Sequence, residues 1–395
     1  MRKGKRSRVA RPEHIPEDII VEILSRLPVK TLMKFKIICN QWKSLISHKI
    51  FSLRNDGRCR EKPLFFFRRL NKDLTGTKVS TSWSLNSDLH VEEFDNPFSG
   101  YEFLGSCDGL LLFGYGKNIF LWNPSTRYSR AVHHLLSLGH GYRRVLASGF
   151  CYDDSVDDYK VVIIISQPRK SERTIYAFVS HLKSITWTKV ICPYEVLRTD
   201  WVAPLVRGNL HILAQEKEGK NGGNQHPNAP QQLILCFDTK RDEFKLLPKP
   251  DPKHYEQNLV HGLGVIEGCL CMVRPDKYGR ELLTMREYGV KESWTILFTI
   301  VNSHLNAPRY SLVPVFLTNK GEVVMVENHQ KVLAYDLKSR NLLDVRQQKY
   351  PESSQLFGFP YVESVADGNQ ERPPRRKRNN DRLDDFIYFS YLDHL

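Results

Sequence analysis

The 395-residue sequence contains no run of about 18 apolar residues, and its longest apolar stretches, Val161–Ile165 and Leu110–Phe113, are strand-sized. A membrane-spanning helix is thereby excluded. The basic start, MRKGKRSRVARP, has no apolar segment behind it, so no secretory signal is expected. Without one, the eight scattered cysteines read as reduced, buried thiols rather than disulfides. Cys269 and Cys271 form the one close pair, and no second Cys/His pair stands at metal spacing. They read as two thiols on one face of a strand. Active-site motifs are missing as well: there is no G-x-S-x-G elbow, no G-x-x-x-x-G-K-[ST] phosphate loop and no H-E-x-x-H helix. The acidic cluster Asp153, Asp154, Asp157 and Asp158 lacks the glycine and terminal glutamate of a calcium loop. It reads as a solvated turn before the strand YKVVIII. No catalytic residue, metal ligand or cofactor is assigned.

What is present is a globular composition, 41% apolar and 26% charged, with a net charge of +14. Residues 1–11 carry Arg2, Lys3, Lys5, Arg6, Arg8 and Arg11 without an acid, and PPRRKR places Arg375, Arg376, Lys377 and Arg378 in a row. Such runs address a protein to the nucleus, touch polyanions, or are solvated tails. Four regions follow from composition: a disordered basic tail (1–13), a helical unit (14–55), a strand-and-turn region (60–365) and a polar tail (366–395) that is too charged to bury a core. The end of that tail, Phe386–Leu395, reads either as a terminal strand or as an unstructured end.

In the helical unit Pro16 suits the first helical position, and Glu17 and Asp18 sit where the helix dipole favours acids. Ile19, Ile20, Ile23, Leu24 and Leu27 recur at helical spacing until Pro28 stops the helix. A second helix is predicted from about Val29 to Ile37 and a third from about Cys39 to His48, the latter with Trp42, Leu45 and Ile46 on one side. Three such short helices hide little surface, so apolar side chains are left over. That surplus marks either a partner surface or a face packed on the rest of the chain.

The strand region repeats itself. An apolar strand with one large side chain, a polar turn and a second apolar residue recur around Trp122, Phe178, Phe237, Met285 and Tyr335, which lie 48 to 59 residues apart. A glycine-led strand precedes most of these, at Gly109, Gly208, Gly268 and Gly321. A period near 50 with several short strands per unit predicts a Kelch-like β-propeller. Pro63 to Trp83 could begin a further blade, so six or seven are expected, and the polar insert at 216–232 is predicted to be a loop. The fold class is therefore α+β multidomain, a short helical unit followed by an all-β propeller with disordered basic tails.

The helical segment IPEDIIVEILSRLPVKTLMKFKIICNQWKSLIS, Ile15 to Ser47, resembles a plant-type F-box. The likeness rests on the Pro-x-Asp opening, on EILSRLPVK, on the short link to Phe35, and on Cys39 followed by Trp42. Ile15 stands where that family usually has Leu. The remainder is similar to the F-box-associated domain, on the pieces SCDGLLLF, LWNPSTR, GFCYDDSVDDYKVV, LCFDTKRDEFKLLP, LGVIEGCLCMV, MREYGVKESW, VLAYDLKSR and YVES. One element departs from the pattern: VRGNLHILA has Ile212 in place of a tryptophan, which is expected to weaken local packing. The two resemblances cover about Ile15 to Val365. They imply an adaptor that binds the Skp-family linker of a cullin–RING ubiquitin ligase and holds a target protein on the propeller. They imply a linker surface made by Ile15, Pro16, Ile19, Ile23, Leu24, Leu27, Pro28, Val29 and Leu32. Trp42 serves either as an anchor there or as packing inside the unit. The implied location is nucleus and cytoplasm. The substrate-binding residues stay unassigned. Two rival classes are a basic nucleic-acid-binding protein and a propeller enzyme with a rim-loop active site.

Overall fold

The computed structural model describes residues 15–47, 62–69, 82–85, 89, 91–94, 96–98, 101–115, 118–134, 144–168, 173–184, 186–197, 202–216, 232–252, 259–301, 311–345 and 354–365. The expectations for the basic tails, for Phe386–Leu395 and for most of the 216–232 insert concern residues outside these ranges.

Helix α1 (Glu17–Ser25) begins on Pro16, which caps it in an extended conformation and so lies just outside the first helical position predicted for it. Pro28 does the same for α2 (Val29–Phe35), and α3 (Asn40–Ser47) completes the helical unit. In both caps the proline carbonyl accepts the first helical bonds. A proline's missing N–H costs nothing there, because that position has no intrahelical acceptor.

The strands form six antiparallel sheets among the described residues. Five come from consecutive stretches. The second blade holds Glu102–Cys107, Leu110–Tyr115, Asn118–Asn123 and Tyr128–His134, and the third holds Arg144–Asp153, Asp158–Pro168, Arg173–His181 and Thr188–Cys192. The fourth holds Glu195–Val196, Leu205–Val206, Asn209–Gln215, Leu233–Asp238 and Glu243–Leu247. The fifth holds Gly262–Ile266, Cys269–Asp276, Gly279–Met285 and Trp294–Val301, and the sixth Leu312–Leu317, Glu322–Glu327, Lys331–Asp336 and Asn341–Asp344. The first blade is assembled from both ends of the domain. Lys62–Arg69, Ser82–Leu85 and Val91–Phe94 are joined by the closing strand Ser354–Tyr361, whose register pairs Leu64 with Phe359 and Phe66 with Phe357.

The sequence repeat has a direct physical meaning in this arrangement. Counted across each sheet, Trp122, Phe178, Phe237, Met285 and Tyr335 all lie on the third strand, and all are buried. The glycine-led beat is the hairpin that leads into the second strand across the sheet. Asp108–Gly109, Arg207–Gly208 and Glu267–Gly268 all have positive φ, between 49° and 77°, the pair of left-handed residues that matches hairpin twist. The polar turn after the third strand is an Asx turn: the Asn123, Asp238 and Asp336 carboxamide or carboxylate oxygens accept the backbone N–H of Ser125, Lys240 and Lys338 at 2.8, 3.0 and 2.9 Å. Inner strands approach too closely for side chains at some points. A Cβ on Gly264 would overlap the Pro314 carbonyl oxygen of the next blade.

Six apolar cores lie between neighbouring blades, one per joint. Leu112 and Leu121 meet Phe150 and Ile163; Ile164 and Ala177 meet Ile212 and Phe237; Leu213 and Ile234 meet Leu270 and Met272. Val273 and Leu282 meet Val323 and Met325; Val324 and Val326 meet Leu356; Leu111 and Trp122 meet Phe359 and Tyr361. Each such buried side chain contributes on the order of 1.5–3 kcal/mol. Ile212 is buried in the joint between the third and fourth blades, in one cluster with Leu210, Ala214 and Phe237.

Polar locks supplement the apolar joints, and here the acidic cluster needs correction. Only Asp154 and Asp157 are exposed; Asp153 and Asp158 are buried and structural. Buried Lys160 bridges two blades, with its Nζ 3.2 Å from Asp153 and 3.0 Å from Asp242 and donating to the Thr239 carbonyl. Burial on its own would raise the Asp153 carboxyl. Hydrogen bonds from Ser155, His181 and Lys160 together outweigh it and hold the group below the usual carboxylate range. At the next joint, buried His211 lies between the Pro204 carbonyl (Nδ1, 3.2 Å) and the Tyr288 hydroxyl (Nε2, 2.8 Å). A neutral ring fits both partners, donating from Nδ1 and accepting at Nε2.

Two outcomes follow for stability. Burial pushes His211 down from 6.5 to about 4, against a smaller opposite effect of the Pro204 carbonyl, and His261 is likewise pushed to about 4 by burial and then by the Arg280 charge. Between those values the unfolded chain binds protons that the folded chain refuses. Stability is thus complete above pH 6.5 and falls as pH drops towards 4, by about 3 kcal/mol per histidine at the lower end. Asp153 adds to this only at still lower pH. Urea midpoints measured from pH 7 to 4.5 are expected to fall, with a shallower slope in His211→Gln; a flat profile refutes the assignment. Gly264→Ala is expected to cost at least about 1–3 kcal/mol by overpacking, read from the same denaturation curves.

Candidate docking surfaces

The helical unit sorts its apolar side chains into two sets. Leu24, Val29, Leu32 and Ile46 form the helical part of a buried core, with Ile20, Val21, Leu27, Met33, Phe35 and Trp42 packed around it. Leu24 is 1% exposed and Leu32 is fully buried. Ile15, Ile19 and Ile23 form the other set: Ile19 and Ile23 stand four residues apart on one side of α1, and Ile15 precedes its cap, Pro16. They are 54%, 50% and 51% exposed. Pro16 and Pro28 are exposed as well, and Leu27 is half-buried. Past the end of α2 the consecutive Ile37 and Ile38 add to the uncovered apolar surface, Ile37 at 86% exposure.

This placement corrects the predicted linker surface. Leu24, Val29 and Leu32 point inward, because a unit of three short helices has few large aliphatic residues and needs these for its own core. Ile15, Pro16, Ile19, Ile23 and Pro28 remain on the outside. Trp42 packs its ring against Phe35, with centroids 5.3 Å apart, and is half-buried. The second helix ends at Phe35, short of the Ile37 expected from the sequence, which leaves Ile37 and Ile38 outside it. The signal was available: two adjacent β-branched residues beyond a helix end cannot both turn into one small core.

The propeller carries a second candidate surface. Its inner strands enclose a cavity of about 300 Å3. Phe103, Val265, Val315, Leu356 and Phe359 line it, and the Phe103 and Phe359 rings stack 4.1 Å apart. Among the described residues, polar side chains line it at Ser106 and at Glu267 and His329. No group of three or more His, Cys, Asp or Glu side chains with metal-binding geometry occurs among the described residues. An apolar cavity with a few polar groups suits an apolar side chain or small molecule better than charged chemistry.

The division of α1 into two faces is checked by a pair of substitutions. Leu24→Ala is expected to destabilise the helical unit by about 2–5 kcal/mol. Ile23→Ala, one residue away, is expected to stay within about 0.5 kcal/mol. Thermal or urea melts followed by helical circular dichroism distinguish the two; equal effects would mean that the faces are wrongly assigned.

Comparison with known proteins agrees with this architecture. The family described as F-box domain matches residues 13–54, and the family described as F-box associated beta propeller domain matches residues 50–366. An F-box/kelch-repeat protein of Arabidopsis thaliana is 30% identical over 313 residues, covering 73% of this chain and 80% of its own length. The F-box protein CPR1 of the same plant is 27% identical over 363 residues, covering 86% of each chain. Among solved structures, the β-propeller domain of the Trilobed protease from Pyrococcus furiosus is a distant likeness, with a TM-score of 0.35 and 11% identity over 73% of this chain and 82% of that one. With helices, propeller and sequence in accord, the chain belongs to the F-box proteins that carry an F-box-associated β-propeller domain.

Proposed function

We propose that this protein is a target-binding adaptor of a Skp–cullin–F-box ubiquitin ligase and performs no chemistry itself. The observation that carries the reading is the stripe of Ile15, Ile19 and Ile23, apolar and left uncovered by the chain's own propeller. A soluble protein keeps such a patch where another protein covers it. In this reading the Skp-family linker seats on Ile15, Pro16, Ile19, Ile23 and Pro28, extended by Ile37 and Ile38. Leu24, Val29 and Leu32 hold the surface from beneath, and Trp42 backs it through Phe35. Each half-exposed isoleucine contributes on the order of 1 kcal/mol when covered, before ordering costs are subtracted. The apolar character of the face favours a protein partner over a nucleic acid, which would need basic side chains at the contact.

The propeller then holds the target. The cavity gives it a place for one bulky apolar group, and the turns around Glu267 and His329 lie where a longer segment would pass. A nuclear and cytoplasmic location belongs to the same proposal and rests on the basic runs.

The test is co-purification of the full chain with a Skp-family linker. Ile19→Asp combined with Ile23→Asp is expected to weaken capture at least about 100-fold, since two charges would be buried without partners. The melting temperature of the propeller is expected to be unchanged. Undiminished capture by the folded double variant overturns the docking face.

A further inference from the structure

The docking unit has five fully buried side chains, and only four belong to its helices. Leu24, Val29, Leu32 and Ile46 are joined by Val365, which is 1% exposed. Val365 comes from the other end of the domain, four residues beyond the closing strand Ser354–Tyr361. The Lys36 ammonium at the end of α2 donates to the Val365 carbonyl at 3.4 Å, a contact spanning 329 residues of sequence. The segment leading there is fastened to the second blade at each step. The Tyr361 and Ser125 hydroxyls lie 2.8 Å apart, and the buried Asn123 side chain donates to the Ser364 carbonyl at 3.0 Å. The segment also crosses so close above Gly109 that a Cβ there would sit 2.6 Å from the Val362 carbonyl oxygen. Three separated pieces of sequence, around Gly109, Asn123 and Tyr361, thus converge to aim one valine into the helical core.

We infer that residues 362–365 act as a strap whose last side chain, Val365, completes the F-box core and fixes the docking face relative to the propeller. Val365 is a positioning residue: it touches neither the linker face nor the cavity, and it acts through Leu24, Leu32 and the helices that carry Ile19 and Ile23. A unit of 9, 7 and 8 helical residues supplies too few core side chains to be stable alone, and the strap provides the missing one. The strap continues the strand that closes the ring, so the docking unit is ordered only on a closed propeller. The part concerning partner capture rests on the adaptor reading above; the part concerning the fold does not.

Hydrogen exchange of the full-length chain tests the inference directly. In Val365→Asp, amide exchange across residues 17–47 is expected to accelerate at least about tenfold, while exchange in the strand Cys269–Asp276 stays at the wild-type rate. Val365→Ala, a milder change that keeps the chain folded, is expected to give a smaller acceleration in the same residues. Linker capture is measured in parallel and is expected to fall at least about tenfold in Val365→Asp, although Val365 lies outside the linker face. Wild-type exchange across residues 17–47 in both variants overturns the strap. If exchange accelerates but the wild-type chain captures no linker, the strap stands and the adaptor reading falls.

Discussion

A propeller blade has no finished core of its own, because each sheet buries its faces only against its two neighbours. Everything in this molecule therefore depends on one strand-to-strand contact, the pairing of Ser354–Tyr361 with Lys62–Arg69. Until that pairing forms, two of the six joints are open: Leu356 has nothing to cover against Val324 and Val326, and Phe359 and Tyr361 are missing from the cluster around Trp122. The contact joins residues almost 300 positions apart, so its loop-closure entropy is met only after the other blades have formed. The cavity depends on it too, since Leu356 and Phe359 form one of its walls.

Much of this was legible in the sequence, because the repeated features are local. A left-handed X-Gly hairpin (Asp108–Gly109, Arg207–Gly208, Glu267–Gly268) and an Asx turn (Asn123, Asp238, Asp336) leave similar letters in several blades, and the buried third strand leaves a large apolar one. The first blade was harder to see, since its strands come from Lys62–Phe94 and from Ser354–Tyr361 and share no repeat unit. Polar residues were misread for a different reason. Asp153 looks like a solvated turn residue because its partners, Lys160 and His181, are set by the pairing of strands, and Asp242 joins them from the next blade.

The helical unit shows the same limit on a smaller scale. Periodicity identified its apolar residues correctly, but it did not separate Ile23 from Leu24, which are adjacent, the first exposed and the second buried. A helical stripe broader than about 100° always contains both an inward and an outward edge. Which edge is inward depends on what the helix packs against, and part of that was Val365, more than 300 residues away. No local pattern carries that information.

The strap also bears on how an adaptor of this shape would work. Residues 48–61 lie between the helical unit and the first blade in the sequence. One covalent connection does not by itself fix the docking face relative to the cavity. A second attachment through Val365, held at the other end by Asn123 and Gly109, makes the joint two-point and removes most of that freedom. A target held at the propeller would then be presented at one orientation to whatever covers Ile15, Ile19 and Ile23. The entropy of positioning is met once, during folding, rather than at each encounter. This explains why an apolar core residue of the docking unit is supplied by the strand that closes the ring: alignment of the two surfaces becomes conditional on a completed propeller.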